Sequence, residues 1–411
     1  MNAAANIFDP KHYKNVRKPL LEAETLPTWC YLSQAFYDRE VERMFHKVWN
    51  FLGREDEIPN PGDYMTFDLF GEPVIVLRDR EGQLRAFANT CRHRGAKMIE
   101  GKGNCRAIAC PYHGWIYNLK GELTGTAGME KTKNFDRKLY GLPQLMIDTW
   151  DGFIFVSFDP KIVPLRTYLG NFTEEMAPYG FKDYVLTRRK EYILECNWKL
   201  FLENAMEEYH TPVVHRTSIG TQSMEDVPIR GEWRGLFMTA PRTVAVLPED
   251  IEHAFPAPTH LTGRPARGTF FLTIYPHAFM VCTQDVMWWL QQFPMGPHKT
   301  KMVVGSCFPR STVARPDFDE KVKYYYKRWE KSLGEDNAIS EAQHAGLMSS
   351  FSTPGRLSWH EPAVQDIALW VLDRVLDRPK RANGAAKARA NGAASKRSSA
   401  RRAPAKKRAK R

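Results

Sequence analysis

The 411-residue sequence predicts an α+β protein built in two unequal parts, and three observations carry that prediction. Between about residues 60 and 160, short apolar runs alternate with turn residues, the rhythm of a small all-β domain. Beyond residue 195 a helical pattern is followed by longer alternating runs and then by two further helical stretches. From Pro379 to Arg411 the chain carries Ala, Lys, Arg, Gly and Ser and almost nothing that can be buried.

The elements follow in order. Asp38–Trp49 (DREVERMFHKVW) places Val41, Met44, Phe45, Val48 and Trp49 at helical spacing. Tyr64–Phe67, Pro73–Leu77 and Leu84–Ala88 read as strands, the last two joined by the turn Asp79-Arg80-Glu81-Gly82. The β region closes near Trp150–Phe158 (WDGFIFVSF). Asn197–Met206 returns to helix. Gly268–Tyr275, Ala278–Pro294 and Lys299–Phe308 then alternate as strands of an antiparallel sheet with one buried face. Pro316–Ser350 and Glu361–Leu376 read as closing helices.

Composition excludes several classes. At 43% hydrophobic and 26% charged the chain is ordinary globular material, neither collagen-like nor wholly disordered. No apolar run approaches the roughly 18 residues that span a bilayer, and the N-terminus lacks the basic and apolar regions of a secretory signal. The formal charge of +12 resides in the tail: residues 379–411 hold 13 of the 59 Lys+Arg and none of the 47 Asp+Glu. That tail is read as a solvated, disordered extension. A nucleic-acid-binding arm is the lesser reading, because no aromatic residues interleave to stack on bases. Seven cysteines, an odd and sparse set, suit a reducing, cytoplasmic setting with thiols or metal ligands in place of disulfides.

The segment CRHRGAKMIEGKGNCRAIACPYHGW holds two Cys/His pairs, Cys91-x-His93 and Cys110-x-x-His113, with 16 residues between His93 and Cys110. Zinc sites usually take both ligands of a loop from one residue type, whereas each loop here offers one thiolate and one imidazole. That suits a two-iron cluster with both cysteines on one iron and both histidines on the other, the Rieske arrangement. Gly95 and Gly114 permit tight loop backbone, and Pro111 fixes a turn.

On these motifs the chain resembles the large (α) subunit of Rieske-type non-haem iron, aromatic-ring-hydroxylating oxygenases, over roughly residues 7–376. The disulfide cysteines and the serine of membrane-bound respiratory Rieske proteins are replaced by Ala96, Tyr112 and Trp115, which should lower the cluster potential; Cys105 is then a free thiol. The resemblance implies a Rieske [2Fe–2S] domain over 51–160 and a helix-grip catalytic domain over 161–378 joined by the helical 1–50. It leaves 379–411 as the basic tail.

The second cluster is NWKLFLENAMEEYHTPVVH, Asn197 to His215. His210 and His215 stand about 140° apart on an ideal helix, so one unbroken helix cannot aim both at one ion. Pro212 is expected to bend the chain between them. Two histidines and a carboxylate form the facial triad of non-haem Fe(II) oxygenases. The resemblance supplies the remaining roles. Asp336, with Glu341 five positions later, is the expected third iron ligand, and Asp366 in EPAVQDIALW the runner-up. Glu207, with Glu208 as the alternative, is expected to bridge His210 to His113 of a neighbouring subunit; Asn204 and Tyr209 complete the catalytic set. Most of the family has Asp at position 207, and the Glu occurs in a subset that includes enzymes oxidising quaternary ammonium substrates.

The implied activity is O2-dependent hydroxylation, dihydroxylation or oxidative demethylation. Its electrons come from NAD(P)H through a separate reductase, with or without a ferredoxin, because no GxGxxG fingerprint follows a strand. The implied assembly is a head-to-tail homotrimer, with or without a β subunit and with neither membrane nor nucleic acid as partner. Of the aromatic residues Trp233, Phe237, Phe270, Phe271, Tyr275, Phe279, Trp288 and Trp289, most are read as core and some as lining an apolar pocket, which favours a small aromatic or hydrophobic substrate. A quaternary ammonium or betaine-type substrate held by cation–π contact is the alternative. Arg234 or Arg242 is available to anchor a carboxylate in either case. A Rieske electron carrier without oxygenase activity is the reading from another class. Deleting Pro379–Arg411 is predicted to leave oxygenase turnover intact; a collapse of turnover in the truncated protein contradicts this.

Overall fold

The structure, a computed structural model, describes residues 6–377; the basic stretch 379–411 lies outside the described residues. Its centre is a seven-stranded antiparallel sheet. In spatial order the strands are Tyr184–Leu194, Thr300–Pro309, Met287–Pro294, Ala278–Cys282, Gly268–Ile274, Trp233–Thr239 and Glu225–Asp226. The alternating run Ala278–Pro294 is thus two strands. The hairpin forms without Gly or Pro: Thr283 N–H donates to Val286 O (3.0 Å), and the Thr283 hydroxyl donates to Asp285 (2.8 Å), so side chains build the turn. The strands Tyr184–Leu194, Trp233–Thr239 and Glu225–Asp226 are additional to those read from sequence.

Three small sheets make the N-terminal β region. Leu84–Ala88, Glu72–Arg78, Asp63–Leu69 and Lys102–Asn104 form one; Ile108–Ala109, Ile116–Tyr117 and Leu123–Gly125 another; Asn50–Arg54, Phe153–Ser157 and Met146–Trp150 the third. Strand Glu72–Arg78 is buried on both faces. Its period of two sends Val74 and Val76 into the large core and Ile75 and Leu77 into a separate core that contains Cys91 and Cys110. One strand therefore divides two hydrophobic cores.

The helix expected over Asp38–Trp49 is observed as Gln34–Arg43, followed by one 3₁₀ turn at Phe45–Lys47. Asn50 explains the early end: its side-chain amide donates to Phe45 O (2.9 Å) and Val48 O (3.4 Å), holding carbonyls that a continuing helix would use. On the far side of this helix Glu40 meets Lys199 at 2.7 Å, both side chains fully buried, while the Trp198 indole N–H donates to Glu40 at 3.2 Å. This pair ties the N-terminal helix to the helix Trp198–Ala205. The long helix Phe318–Leu347 docks on the sheet through the Tyr325 hydroxyl, which donates to Asp285 in the side-chain-built hairpin.

A buried ion pair is far more costly to break than to build. Glu40→Ala should destabilise the protein by about 3–5 kcal/mol, because Lys199 is left charged and unpaired. Glu40→Ala with Lys199→Met should recover most of that loss. Urea unfolding of both variants checks the prediction, and equal losses in the single and double variants contradict it.

Candidate metal centres

The two Cys/His loops have the same backbone. Cys91 N–H donates to Ala96 O (2.9 Å) and Gly95 N–H to Cys91 O (3.0 Å); Cys110 N–H donates to Trp115 O (2.8 Å) and Gly114 N–H to Cys110 O (3.0 Å). Each ring closes through a glycine at positive φ, +77° at Gly95 and +70° at Gly114, where any Cβ is strained. Both thiols are buried, and Tyr117 places its hydroxyl 3.4 Å from Cys91 Sγ. The imidazoles of His93 and His113 face each other at 4.6 Å between ring centroids. His93 stacks on Trp115 (4.8 Å, 10°), and its buried Nδ1 has no hydrogen-bond partner among the described residues. The tip carrying Arg92, Arg94, Tyr112 and His113 is exposed.

Spacing decides what such a pocket can take. Among the described residues, only His210, His215 and Asp336 bring three ligand atoms within 4.8 Å of one another. The four donors of the loops do not close to that spacing, as one tetrahedral ion with bonds of about 2.0–2.3 Å requires. A larger two-iron group fits them.

The second site is assembled from two helices. Asn197 caps the helix Trp198–Ala205 by accepting from Lys199 N–H (3.1 Å), and that helix stops before Glu207. A single turn, Thr211–Val214, then runs between His210 and His215. Pro212 thus sits in the first turn of a new helix, where its missing N–H costs nothing. The bend expected at Thr211 is absent: Thr211–Val214 is helical between the two histidines, and the chain breaks only upstream of both, at Met206–Tyr209. The third member comes from the long helix: Asp336 Oδ1 lies 3.0 Å from His215 Nε2 and 3.5 Å from His210 Nε2. That oxygen is buried without a hydrogen-bond donor assigned to it.

The far sides of both imidazoles are held. His210 Nδ1 donates to Glu207 Oε1 and His215 Nδ1 to Glu335 Oε2, each at 2.7 Å. Ser218 adds a hydroxyl donated to the same Glu335 oxygen at 2.5 Å. With each Nδ1 carrying the proton, both Nε2 lone pairs turn toward Asp336, the arrangement a divalent cation selects. Sequence reasoning assigned Glu335 no role; the only trace was its place beside Asp336.

The other sequence-derived candidates separate clearly. Glu208 accepts from His360 Nδ1 (3.0 Å), so Glu207 and not Glu208 stands against His210. Asp366 is 2.9 Å from Arg234 Nε, which also pairs with Asp226; Arg234 is thereby consumed as an anchor. Arg242 lines a different cavity, with Thr243 and Asp285. Tyr209 is exposed and stacks on His360 (5.4 Å, 4°) without lining the triad's pocket. Asn204 lines a second cavity of about 220 Å³ that shares Glu207 and His210 with the triad's pocket. Of the eight aromatic residues singled out in the sequence, Phe271 and Phe279 line the narrow cavity beside the triad, joined by Phe201 and Trp329. The remaining six do not line it; Trp288 packs on Trp329 and Trp289 on Phe51.

Comparison with known proteins finds a family model over each of the two regions. The Rieske [2Fe-2S] domain model matches residues 48–136, and the ring hydroxylating alpha subunit (catalytic domain) model matches residues 181–377. The chain is 29% identical to the chloroplastic choline monooxygenase of Spinacia oleracea over 328 residues, covering 76% of this chain and 69% of the relative. It is 27% identical to the glycine betaine monooxygenase oxygenase subunit of Pseudomonas aeruginosa (strain UCBPP-PA14), covering 86% and 89%. Its fold matches the quaternary ammonium Rieske monooxygenase CntA in complex with L-carnitine, with a TM-score of 0.73 at 22% identity over 87% of this chain and 97% of that one. Two family models in one chain, the Rieske [2Fe-2S] domain and the ring hydroxylating alpha subunit catalytic domain, make this protein a Rieske-type non-haem iron oxygenase of the ring-hydroxylating α-subunit family.

Proposed function

We propose that this chain is the oxygenase component of a multicomponent system acting on a small quaternary ammonium substrate, with Cys91, His93, Cys110 and His113 holding the [2Fe–2S] cluster and His210, His215 and Asp336 the iron. The observation that carries the assignment of the iron site is the convergence of two Nε2 atoms on one orphaned Asp336 oxygen, with a carboxylate behind each ring. When bound, the iron supplies reductive activation of O2 with electrons that reach it by way of the cluster.

The protein's own residues do the rest. Glu207 and Glu335 keep the two imidazoles in one tautomer and orientation. Phe201, Phe271, Phe279 and Trp329 wall the cavity with aromatic side chains, which exclude water and suit a methylated ammonium. Glu207 and Asp336 add negative charge at the same end of the pocket. The relatives are named for choline, glycine betaine and quaternary ammonium oxidation, which favours this reading over the aromatic substrate suggested by composition. So does the fact that most of the aromatic residues behind that suggestion belong to the core.

The electron path proposed here runs between subunits of a head-to-tail trimer, from His113 of the partner subunit to Glu207. Two features support it: the cluster loops end in an exposed tip, and Glu207 stands between two cavities, one beside the triad and one behind it. A cytoplasmic setting accords with seven cysteines of which none is paired with another in a disulfide. No described helix is long and apolar enough to cross a membrane.

Purified protein, a surrogate reductase, NADH and O2 should consume oxygen with trimethylammonium compounds and release formaldehyde by demethylation. Turnover of aromatic hydrocarbons with none of any trimethylammonium compound overturns the substrate class. Separately, Glu335→Ala should weaken mononuclear iron binding about 10–100-fold while leaving the visible absorption of the cluster unchanged. Wild-type iron content in that variant under chelator challenge contradicts the role given to Glu335.

A further inference from the structure

Four Lys or Arg side chains are buried among the described residues: Arg54, Lys199, Arg234 and Arg328. Three have a carboxylate partner: Asp56 at 3.1 Å from Arg54, Glu40 at 2.7 Å from Lys199, and Asp366 at 2.9 Å from Arg234. Arg328, only 3% exposed, has no carboxylate within 4.0 Å among the described residues. Its Nε donates to Val244 O and its Nη1 to Ser332 Oγ, both at 3.0 Å, and Nη2 donates to no described acceptor. The guanidinium lies 5.6 and 5.8 Å from the ring centroids of Trp288 and Trp329, which are themselves stacked.

Arg328 lines the cavity beside the iron triad. It stands two helical turns before Asp336 on the same long helix, so the two residues bracket the pocket. A buried cation with no carboxylate in contact is unfavourable: burial lowers the Arg328 pKa to about 10, the more distant charges of Asp336 and Glu335 offset this only in part, and an anionic ligand relieves the remaining cost. The pocket is therefore polarised, with Glu207 and Asp336 at the metal end and a guanidinium fork at the other.

We propose that Arg328 is a specificity-determining residue that binds the carboxylate of the substrate and so selects zwitterionic, betaine-type molecules over quaternary ammonium alcohols. With Nε and Nη1 already donating to Val244 and Ser332, the unengaged Nη2 can donate a charge-assisted hydrogen bond to a carboxylate, while an alcohol leaves the charge unanswered. This deepens the reading above, resting on the pocket at His210, His215 and Asp336 as the substrate site.

The test is calorimetric binding to the iron-loaded protein of two matched pairs: glycine betaine against choline, and benzoate against benzyl alcohol. At least one carboxylate should bind about tenfold or more tightly than its alcohol, as a charge-assisted hydrogen bond implies. Arg328→Gln should reduce that ratio below about threefold, and Arg328→Lys, which keeps the charge, should retain a preference. A wild-type protein that prefers neither carboxylate overturns the proposal, even where Arg328→Gln fails to fold. So does a preference that survives Arg328→Gln, or one that Arg328→Lys loses as fully as Arg328→Gln. Choline binding as tightly as glycine betaine, with no benzoate preference, removes the role of Arg328 and leaves the quaternary ammonium reading standing. A preference confined to the benzoate pair does the reverse.

Discussion

The site depends on three carboxylates gathered around two imidazoles. Glu207 and Glu335 hold the Nδ1 sides and Asp336 meets both Nε2 sides. Like charges brought this close repel, and a partly buried site gives little solvent to screen them. The arrangement is balanced when a divalent cation sits where the two nitrogens and the aspartate oxygen converge. Much of the surrounding fold serves that convergence: the capped helix that ends before Glu207, the fresh turn begun by Pro212, and the long helix docked on the sheet through Tyr325 and Asp285.

The cluster domain solves a different problem. Its core is small, and two of its buried side chains are the thiols themselves. Strand Glu72–Arg78 gives this core Ile75 and Leu77 while giving the catalytic core Val74 and Val76, so the two domains share a wall. Two loops with the same hydrogen-bonded ring then present His93 and His113 at an exposed tip, with His93 braced by Trp115. Electron transfer needs such an arrangement: thiolates sheltered from water and imidazoles near the surface.

Charge organises the catalytic pocket as much as shape does. Aromatic and aliphatic walls exclude water, which strengthens every interaction inside. Acidic groups gather at the metal end, and an unpaired guanidinium closes the other. The two arginines that the sequence offers on the sheet side are absent from this pocket, Arg234 because Asp226 and Asp366 already satisfy it and Arg242 because it faces another cavity. A residue on a helix, whose pattern reads only as amphipathic, takes that place.

The amino-acid order alone determined whatever depends on neighbours in the chain. CRHRG and CPYHGW carry their Cys/His pairs and their positive-φ glycines within a few residues, so both loops are legible without any tertiary contact. ENAMEEYHTPVVH likewise carried both histidines, and the family pattern pointed to Asp336. Hydrophobic periodicity located most helices and strands, and erred where side chains replace the usual turn signals, as at Thr283–Val286, or where Asn50 ends a helix through space. The tertiary structure alone decided which carboxylate meets which ring, which aromatics are wall and which are core, and which buried cation lacks a partner. Hydrogen bonds and ion pairs act over a few ångströms, and residues 120 apart, such as His215 and Glu335, come within that range only when the helices that carry them have packed.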